Sequence, residues 1–324
     1  MGSAGRDAHA APASPTPPRH PYAGSVIVHL NGSLIESRLA TVSVFDRGFL
    51  FGDGLYEGLR AFGGRVVGMD RHVERLRAGL AEARIDWDAA RLKDLTDELL
   101  AANGLRDAFI YWQVTRGTPP PGSPWRARVP AHGSIPTILG FCYATPTVDS
   151  HQAPAPRRVI TVRDTRWLRG TMKSISLLGS VLAAIEAAEA GTDDAILIRD
   201  GVVAEGTSSN VFVALRDASG RPRLATPSIQ SAPILAGVTR DILIDRVPSC
   251  EVRTITADEL AAADEVMLVG TLTMVASVVE IDRVPVGDGA PGPAASMLLG
   301  VLREVIGSEQ SATPLAGVLG RVSG

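Results

Sequence analysis

The chain has 324 residues, 45% of them hydrophobic and 21% charged, with a formal net charge of −3. That length suits two domains of ~100–200 residues each, and the mild acidity excludes the basic footprint of a nucleic-acid or anionic-membrane binder. Cys142 and Cys250 lie far apart and the six histidines are scattered, so neither a disulfide framework nor a metal cluster is indicated.

The first 22 residues, Met1 to Tyr22, are mostly Ala, Pro, Ser and Gly with no apolar segment after them. Such a stretch buries too little surface to offset its ordering entropy, so a disordered tail is expected. No apolar run approaches the length of a membrane span, and with no apolar h-region no secretory signal is expected, so the cytoplasm is the expected compartment. Order is expected from Ser25 through Leu30, then a hairpin turn at Asn31-Gly32 and a short return strand. Thr41 to Phe45 reads as a further strand running into a loop at Asp46-Arg47-Gly48, and Leu55 to Phe62 as a strand turning at Gly63-Gly64. Helices are predicted over Met69–Ala83 and Asp88–Asn103, the first with Val73, Leu76 and Leu80 at helical spacing. Strands Ala108–Thr115 and Thr137–Cys142 flank the proline-rich loop Thr118–Pro124.

A polar, proline-rich stretch, Ala144 to Pro156, is the expected domain boundary. It separates a smaller domain over 23–143 from a larger one over 157–306. The larger domain begins with a strand at Arg158–Val162 and includes a helix over Leu178–Ala190 that ends at Gly191. Hairpin strands flank Asp200-Gly201, Asn210–Leu215 is a strand, and a short helix starts near Thr239. Strands near Glu251, Glu265 and Val278 precede a last helix from Pro293 to Ile306, and 307–324 is expected to be weakly structured. Helices and hairpins mix without βαβ alternation, which argues for an α/β chain of α+β character with mixed sheets, not a doubly wound domain.

Thirty of the thirty-two basic residues are arginine; the lysines are Lys93 and Lys173. Lys93 sits among charges on a solvated helix face. Lys173 sits in Gly170-Thr-Met-Lys-Ser-Ile-Ser-Leu177, with no acidic neighbour. A primary amine forms an imine with an aldehyde where a guanidinium does so poorly. Taken alone, a lone lysine is more often a surface charge. Other segments add to it. Glu205 leaves a hairpin strand into a run of small polar residues, where a carboxylate can keep a ring nitrogen protonated. Leu235-Ala-Gly-Val-Thr239-Arg240 opens a helix whose free amides suit a phosphate. Gly270-Thr271 can add a hydroxyl and Arg75 a cation. Together they describe a site for a phosphorylated aldehyde.

Asp46-Arg-Gly48, Phe51-Gly-Asp-Gly-Leu-Tyr-Glu57, His72-x-x-Arg75-Leu76, Lys173, Glu205-Gly-Thr-Ser-Ser-Asn210, Gly237-Val-Thr-Arg240 and Gly270-Thr271 resemble, in order and spacing, the class IV (fold-type IV) pyridoxal-phosphate aminotransferases. The resemblance spans roughly Ser25 to Arg303. Within that class, Arg166-Trp-Leu-Arg-Gly-Thr-Met-Lys173 and Tyr111-Trp-Gln-Val-Thr-Arg-Gly117 are most similar to D-amino-acid aminotransferases. The resemblance implies a two-domain fold with pyridoxal 5′-phosphate between the domains and a homodimer with the site near its interface. It implies that Lys173 joins the cofactor aldehyde and shuttles the substrate α-proton, and that Glu205 protonates the pyridine nitrogen. By the same resemblance Arg75, Val238, Thr239 and Thr271 hold the phosphate, Ser208 lies beside the ring, and Tyr56 helps trap the substrate carboxylate. One departure stands out. Those enzymes carry Arg-x-His after the Thr-Arg-Gly motif; here Arg126 matches but Arg128 stands in place of His, after a proline-rich insertion. Both arginines remain candidates for the substrate carboxylate. The rival substrates are a branched-chain L-amino acid or an (R)-amine, then cleavage of aminodeoxychorismate; outside catalysis, a binding module on the same fold.

Overall fold

The computed structural model describes residues 26–217 and 219–311. The expected N-terminal tail and residues 312–324 lie outside them. In the first half, strands β1 (Ile27–Leu30), β2 (Ser33–Glu36), β3 (Gly54–Phe62), β4 (Arg65–Val66), β5 (Ala108–Thr118) and β6 (Ile135–Ala144) form an antiparallel sheet, in the order β2-β1-β6-β5-β3-β4. The β1–β2 turn has positive φ at both Asn31 (51°) and Gly32 (92°), the pair of left-handed residues a two-residue hairpin needs. Short α1 (Arg47–Phe51) precedes β3, and α2 (Met69–Ala83) and α3 (Leu92–Asn103) connect β4 to β5.

The α2 and α3 faces bury Leu76, Leu80, Leu92 and Leu99 against Leu59, Ile110 and Trp112 of the sheet. Each such side chain contributes ~1.5–3 kcal/mol through apolar burial. Trp112 donates its indole N–H to Thr96 Oγ1 at 2.9 Å, so the largest core ring carries no stranded donor.

The second half holds β7 (Ala155–Arg163), β8 (Asp194–Arg199), β9 (Val202–Gly206), β10 (Asn210–Arg216), β11 (Pro222–Pro227), β12 (Glu251–Arg253), β13 (Glu265–Gly270), β14 (Met274–Ile281) and β15 (Val284–Pro285). They form a mixed sheet in the order β12-β11-β10-β13-β14-β7-β8-β9, with β15 on β14. The β7–β8 and β14–β7 pairs are parallel, and the helix α4 (Leu178–Glu189) makes the crossover from β7 to β8. Helices α5 (Val238–Arg246), α6 (Ala257–Ala261) and α7 (Pro293–Ser311) complete it. Phe62, at the end of β3, joins Phe212, Leu243, Met267 and Leu298 in one buried cluster, so the two halves share a core.

Three expectations need correcting. Thr41–Phe45 is not a strand: Val42 and Val44 are exposed with no ladder partner. The following Asp46-Arg47-Gly48 is not a loop but the start of α1, capped by Asp46 accepting from the Gly48 amide at 2.7 Å. The last helix passes Gly307 and runs to Ser311. The expected boundary stretch also contributes structure, since β7 begins at Ala155 within it.

Candidate active site

A cavity of about 350 Å³ opens where the two halves meet, lined by Tyr56 and Arg75 from the first half and by Lys173, Glu205, Ser208, Val238, Thr239 and Thr271 from the second. Eight of the ten expected site residues therefore share one space. Lys173 reaches it because its segment is stitched to β3. The Tyr56 amide donates to the Lys173 carbonyl at 2.9 Å, the Ile175 amide to Gly54 O at 3.1 Å, and Leu55 and Ser174 form an antiparallel bridge. The Lys173 Nζ lies 4.3 Å from the centre of the Tyr56 ring. Upstream, Gly170 touches the chain at Pro233: a Cβ there would lie 1.7 Å from the Pro233 carbonyl oxygen. Only glycine lets these two backbones pass.

Glu205 is buried at the end of β9. Its Oε1 accepts from Arg166 Nη1 at 2.6 Å, and its Oε2 from the Leu235 amide at 3.1 Å and Asn210 Nδ2 at 3.2 Å. Burial pushes its carboxyl above the usual range, against the pull of Arg166 and the Leu235 amide. A carboxylate with raised basicity shares a proton well with a ring nitrogen. Arg166 is held in turn by Asp164 at 2.9 and 3.1 Å, and Asp164 also meets Arg199 at 3.0 Å.

The first turn of α5 borders one end of the cavity and is suited to an anion. Gly237 is its N-cap and no side chain caps the turn, so the Val238 and Thr239 amides, at two residues that line the cavity, have no partner within the helix. A Cβ at Gly237 would sit 2.0 Å from Asn210 Oδ1, so the close seating of this turn beside Glu205's own partner requires glycine. Thr271, past the end of β13, and Arg75 border the same end. The lone lysine, the buried carboxylate and this capless helix start fit a phosphorylated pyridine aldehyde: an amine for the aldehyde, an acid–base partner for the ring nitrogen, and amides for the phosphate.

Arg126 and Arg128 do not line this cavity. Their loop is fastened over α1 instead: Arg47 donates to the Ala127 carbonyl at 2.6 Å and to Arg128 O at 3.1 Å, Phe45 stacks on Trp125, and the Arg126 guanidinium lies 5.3 Å from the Phe51 ring. Glu57, His72, Arg166 and Asn210 lie inside the motifs above but carry no assigned role there, and Asp164 lies outside them; the structure shows each one supporting Arg75 or Glu205. The three-residue spacing of His72 and Arg75, which puts both on one face of α2, is the signal the sequence offers. No metal-holding group of His, Cys, Asp and Glu occurs among the described residues, and no described helix is long and apolar enough to cross a membrane.

A family model for amino-transferase class IV matches residues 54–281. The D-alanine aminotransferase of Bacillus licheniformis is 37% identical over 292 residues, covering 88% of this chain and 99% of that protein. The D-alanine aminotransferase of Staphylococcus haemolyticus is 35% identical with the same coverage. Among solved structures, the T.th. branched-chain amino acid aminotransferase complexed with N-(5′-phosphopyridoxyl)-L-glutamate aligns with a TM-score of 0.74 at 26% identity, over 87% of this chain and 95% of that one. The branched-chain aminotransferase of Thermoproteus uzoniensis with norvaline aligns with a TM-score of 0.76 at 27% identity, over 88% and 96%. The cavity and these likenesses agree: the chain belongs to the class IV aminotransferases, enzymes that depend on pyridoxal phosphate.

Proposed function

We propose that this enzyme moves the amino group of a D-amino acid, such as D-alanine, to an α-keto acid such as 2-oxoglutarate. The observation that carries transamination is the single cavity joining Lys173, Glu205 and the α5 N-terminus. The D-amino-acid preference is supported by the D-alanine aminotransferases at 37% and 35% identity over nearly their whole length.

Pyridoxal phosphate, when bound, supplies the aldehyde that carries the amino group between the two half-reactions and a ring that draws electrons from the substrate α-carbon. Lys173 would hold it through its side-chain amine and would carry the proton to and from the substrate α-carbon. Glu205 holds a proton at the ring nitrogen, and Arg166 keeps that carboxylate oriented. The Val238 and Thr239 amides, Thr271 and Arg75 bind the phosphate, with Ser208 beside the ring. Tyr56, under the lysine, orients the substrate carboxylate.

The loop arginines suit a homodimer. Arg126 and Arg128 lie outside this chain's own cavity, so a role in carboxylate binding requires them to reach a second copy's site. The outer face of α4 exposes Leu178, Val181, Leu182 and Ile185 beside the cavity mouth, as a surface covered by that copy would. Mixing an inactive Lys173→Ala chain with a weakly active Arg126→Ala/Arg128→Ala chain restores activity if sites are shared; no restoration removes this assignment.

The second reading, a branched-chain L-amino-acid substrate, is favoured by the structural neighbours. Half-reactions separate the two: the loaded enzyme, without keto acid, is given one donor at a time and the cofactor absorbance followed. D-Alanine is expected to change it. A change with L-leucine or an (R)-arylamine and none with D-alanine overturns the D-amino-acid reading. Release of pyruvate from aminodeoxychorismate without any acceptor would mark a lyase.

A further inference from the structure

Behind the phosphate end of the cavity lies a buried charged group with no role in the mechanism so far. Glu57, on β3, is fully buried, and His72 and Arg75 approach it from one face of α2. Its two oxygens take the Arg75 fork, Nε to Oε1 at 2.9 Å and Nη2 to Oε2 at 2.6 Å. His72 Nδ1 lies 2.7 Å from Oε2. The carboxylate can only accept, so His72 donates to it from Nδ1; burial lowers the His72 pKa, against the pull of Glu57. The remaining edge of Arg75 gives one N–H to the Ala236 carbonyl at 2.9 Å and borders the cavity. His72 itself backs onto a void of about 20 Å³ that it shares with Val238, Thr239 and Thr271, directly behind the anion-binding turn.

Placing a carboxylate with no exposure costs several kcal/mol unless charge and hydrogen bonds compensate. A surface arginine beside the cavity would need none of this. Bidentate pairing fixes the plane of a guanidinium as well as its position, and a second donor on the same carboxylate fixes the plane of the fork's own partner. We infer that Glu57 and His72 are positioning residues that hold Arg75 in the one orientation in which its free N–H groups meet the cofactor phosphate. This rests on the reading of the α5 end as the phosphate site. His72 touches neither the ring nor the substrate; it acts through Glu57 and Arg75.

The test uses the full chain freed of cofactor and titrated with pyridoxal 5′-phosphate and, separately, with pyridoxal, which lacks the phosphate. His72→Leu is expected to weaken the phosphorylated form about tenfold, as loss of an outer partner weakens a metal site, and to leave pyridoxal binding unchanged. His72→Asn, whose amide N–H can stand where Nδ1–H stood, is expected to recover most of the loss. On an Arg75→Ala background, His72→Leu should add nothing, because the two act in series. If His72→Leu does not fold, His72→Gln replaces it; its longer amide misses the Nδ1 position, and the same selective loss is expected. Equal weakening of both ligands, no weakening, or a full additional loss on the Arg75→Ala background overturns the inference. A wild-type chain that binds pyridoxal as tightly as its phosphate instead sinks the phosphate site, and the inference falls with it.

Discussion

Replacing Glu205 with Gln removes one negative charge while keeping size and shape. In the structure every side of this carboxylate faces a donor: Arg166 at 2.6 Å on one oxygen, the Leu235 amide and Asn210 at 3.1 and 3.2 Å on the other. A carboxamide has one acceptor end, so whichever way it turns, its NH2 meets a donor. Losing a hydrogen bond to a charged group costs ~1.5–3 kcal/mol. Part returns, because the neutral amide is spared the burial that raises the Glu205 pKa. The net loss of stability is on the order of 1 kcal/mol, a few degrees at most in melting temperature. The catalytic loss is of another size. Without a carboxylate to keep the ring nitrogen protonated, the rate of the half-reaction with D-alanine should drop ~10²–10³-fold, as when a preorganised electrostatic partner is removed. Single-turnover absorbance and thermal melting on the same preparations separate the two effects, and Glu205→Asp, which keeps the charge one methylene farther away, should fall between. A Glu205→Gln enzyme within about tenfold of wild type in single turnover would refute the ring-nitrogen role.

Two further outcomes follow from geometry. Gly170→Ala places a methyl 1.7 Å from Pro233 O, backbone against backbone; no rotamer relieves it, so stability should drop by at least ~1–3 kcal/mol and cofactor loading with it. Normal melting and normal loading would show that the two strands of chain can part freely. Glu57→Gln tests the buried pair through pH. Burial opposes it, but Arg75 and the His72 hydrogen bond win and hold the Glu57 carboxyl at about 2, against an ordinary 4.5. A carboxyl with a lowered folded-state pKa stabilises the protein above its unfolded pKa and loses that contribution as pH falls toward the folded one. The stability advantage of wild type over Glu57→Gln, on the order of 3 kcal/mol, should therefore be complete above pH 4.5 and shrink toward pH 2. Urea unfolding across that range reads it directly, and a gap that does not narrow refutes the assignment.

Much of the architecture was legible because it rests on local chemistry. The Asn31-Gly32 and Asp200-Gly201 turns, with positive φ at all four residues, form as their residue types demand. The helix over Met69–Ala83 has the expected bounds, since its apolar spacing and its sequence neighbours agree. Expectation failed where apolar residues had no partner: Val42 and Val44 alternate like a strand, yet no ladder forms there. β11 and α6 are not expected from the sequence: Pro222–Pro227 carries prolines that argue against a strand, and α6, although Thr256 and Glu259 form a capping box, is five residues long, too short to show a helical period.

The sequence by itself brought out the candidate chemistry of the site: an isolated lysine, a carboxylate after a hairpin strand and a glycine-led helix start, weak one by one, point to one ligand when read together along the chain. It could not place them in one cavity, because Tyr56 and Lys173 meet only through hydrogen bonds between β3 and a distant segment. Nor could it show that Glu57 holds Arg75 or that Arg166 holds Glu205. Those pairs join residues from separate elements, and burial, which turns an ordinary ion pair into a fixed one, exists only after the two sheets have closed on each other.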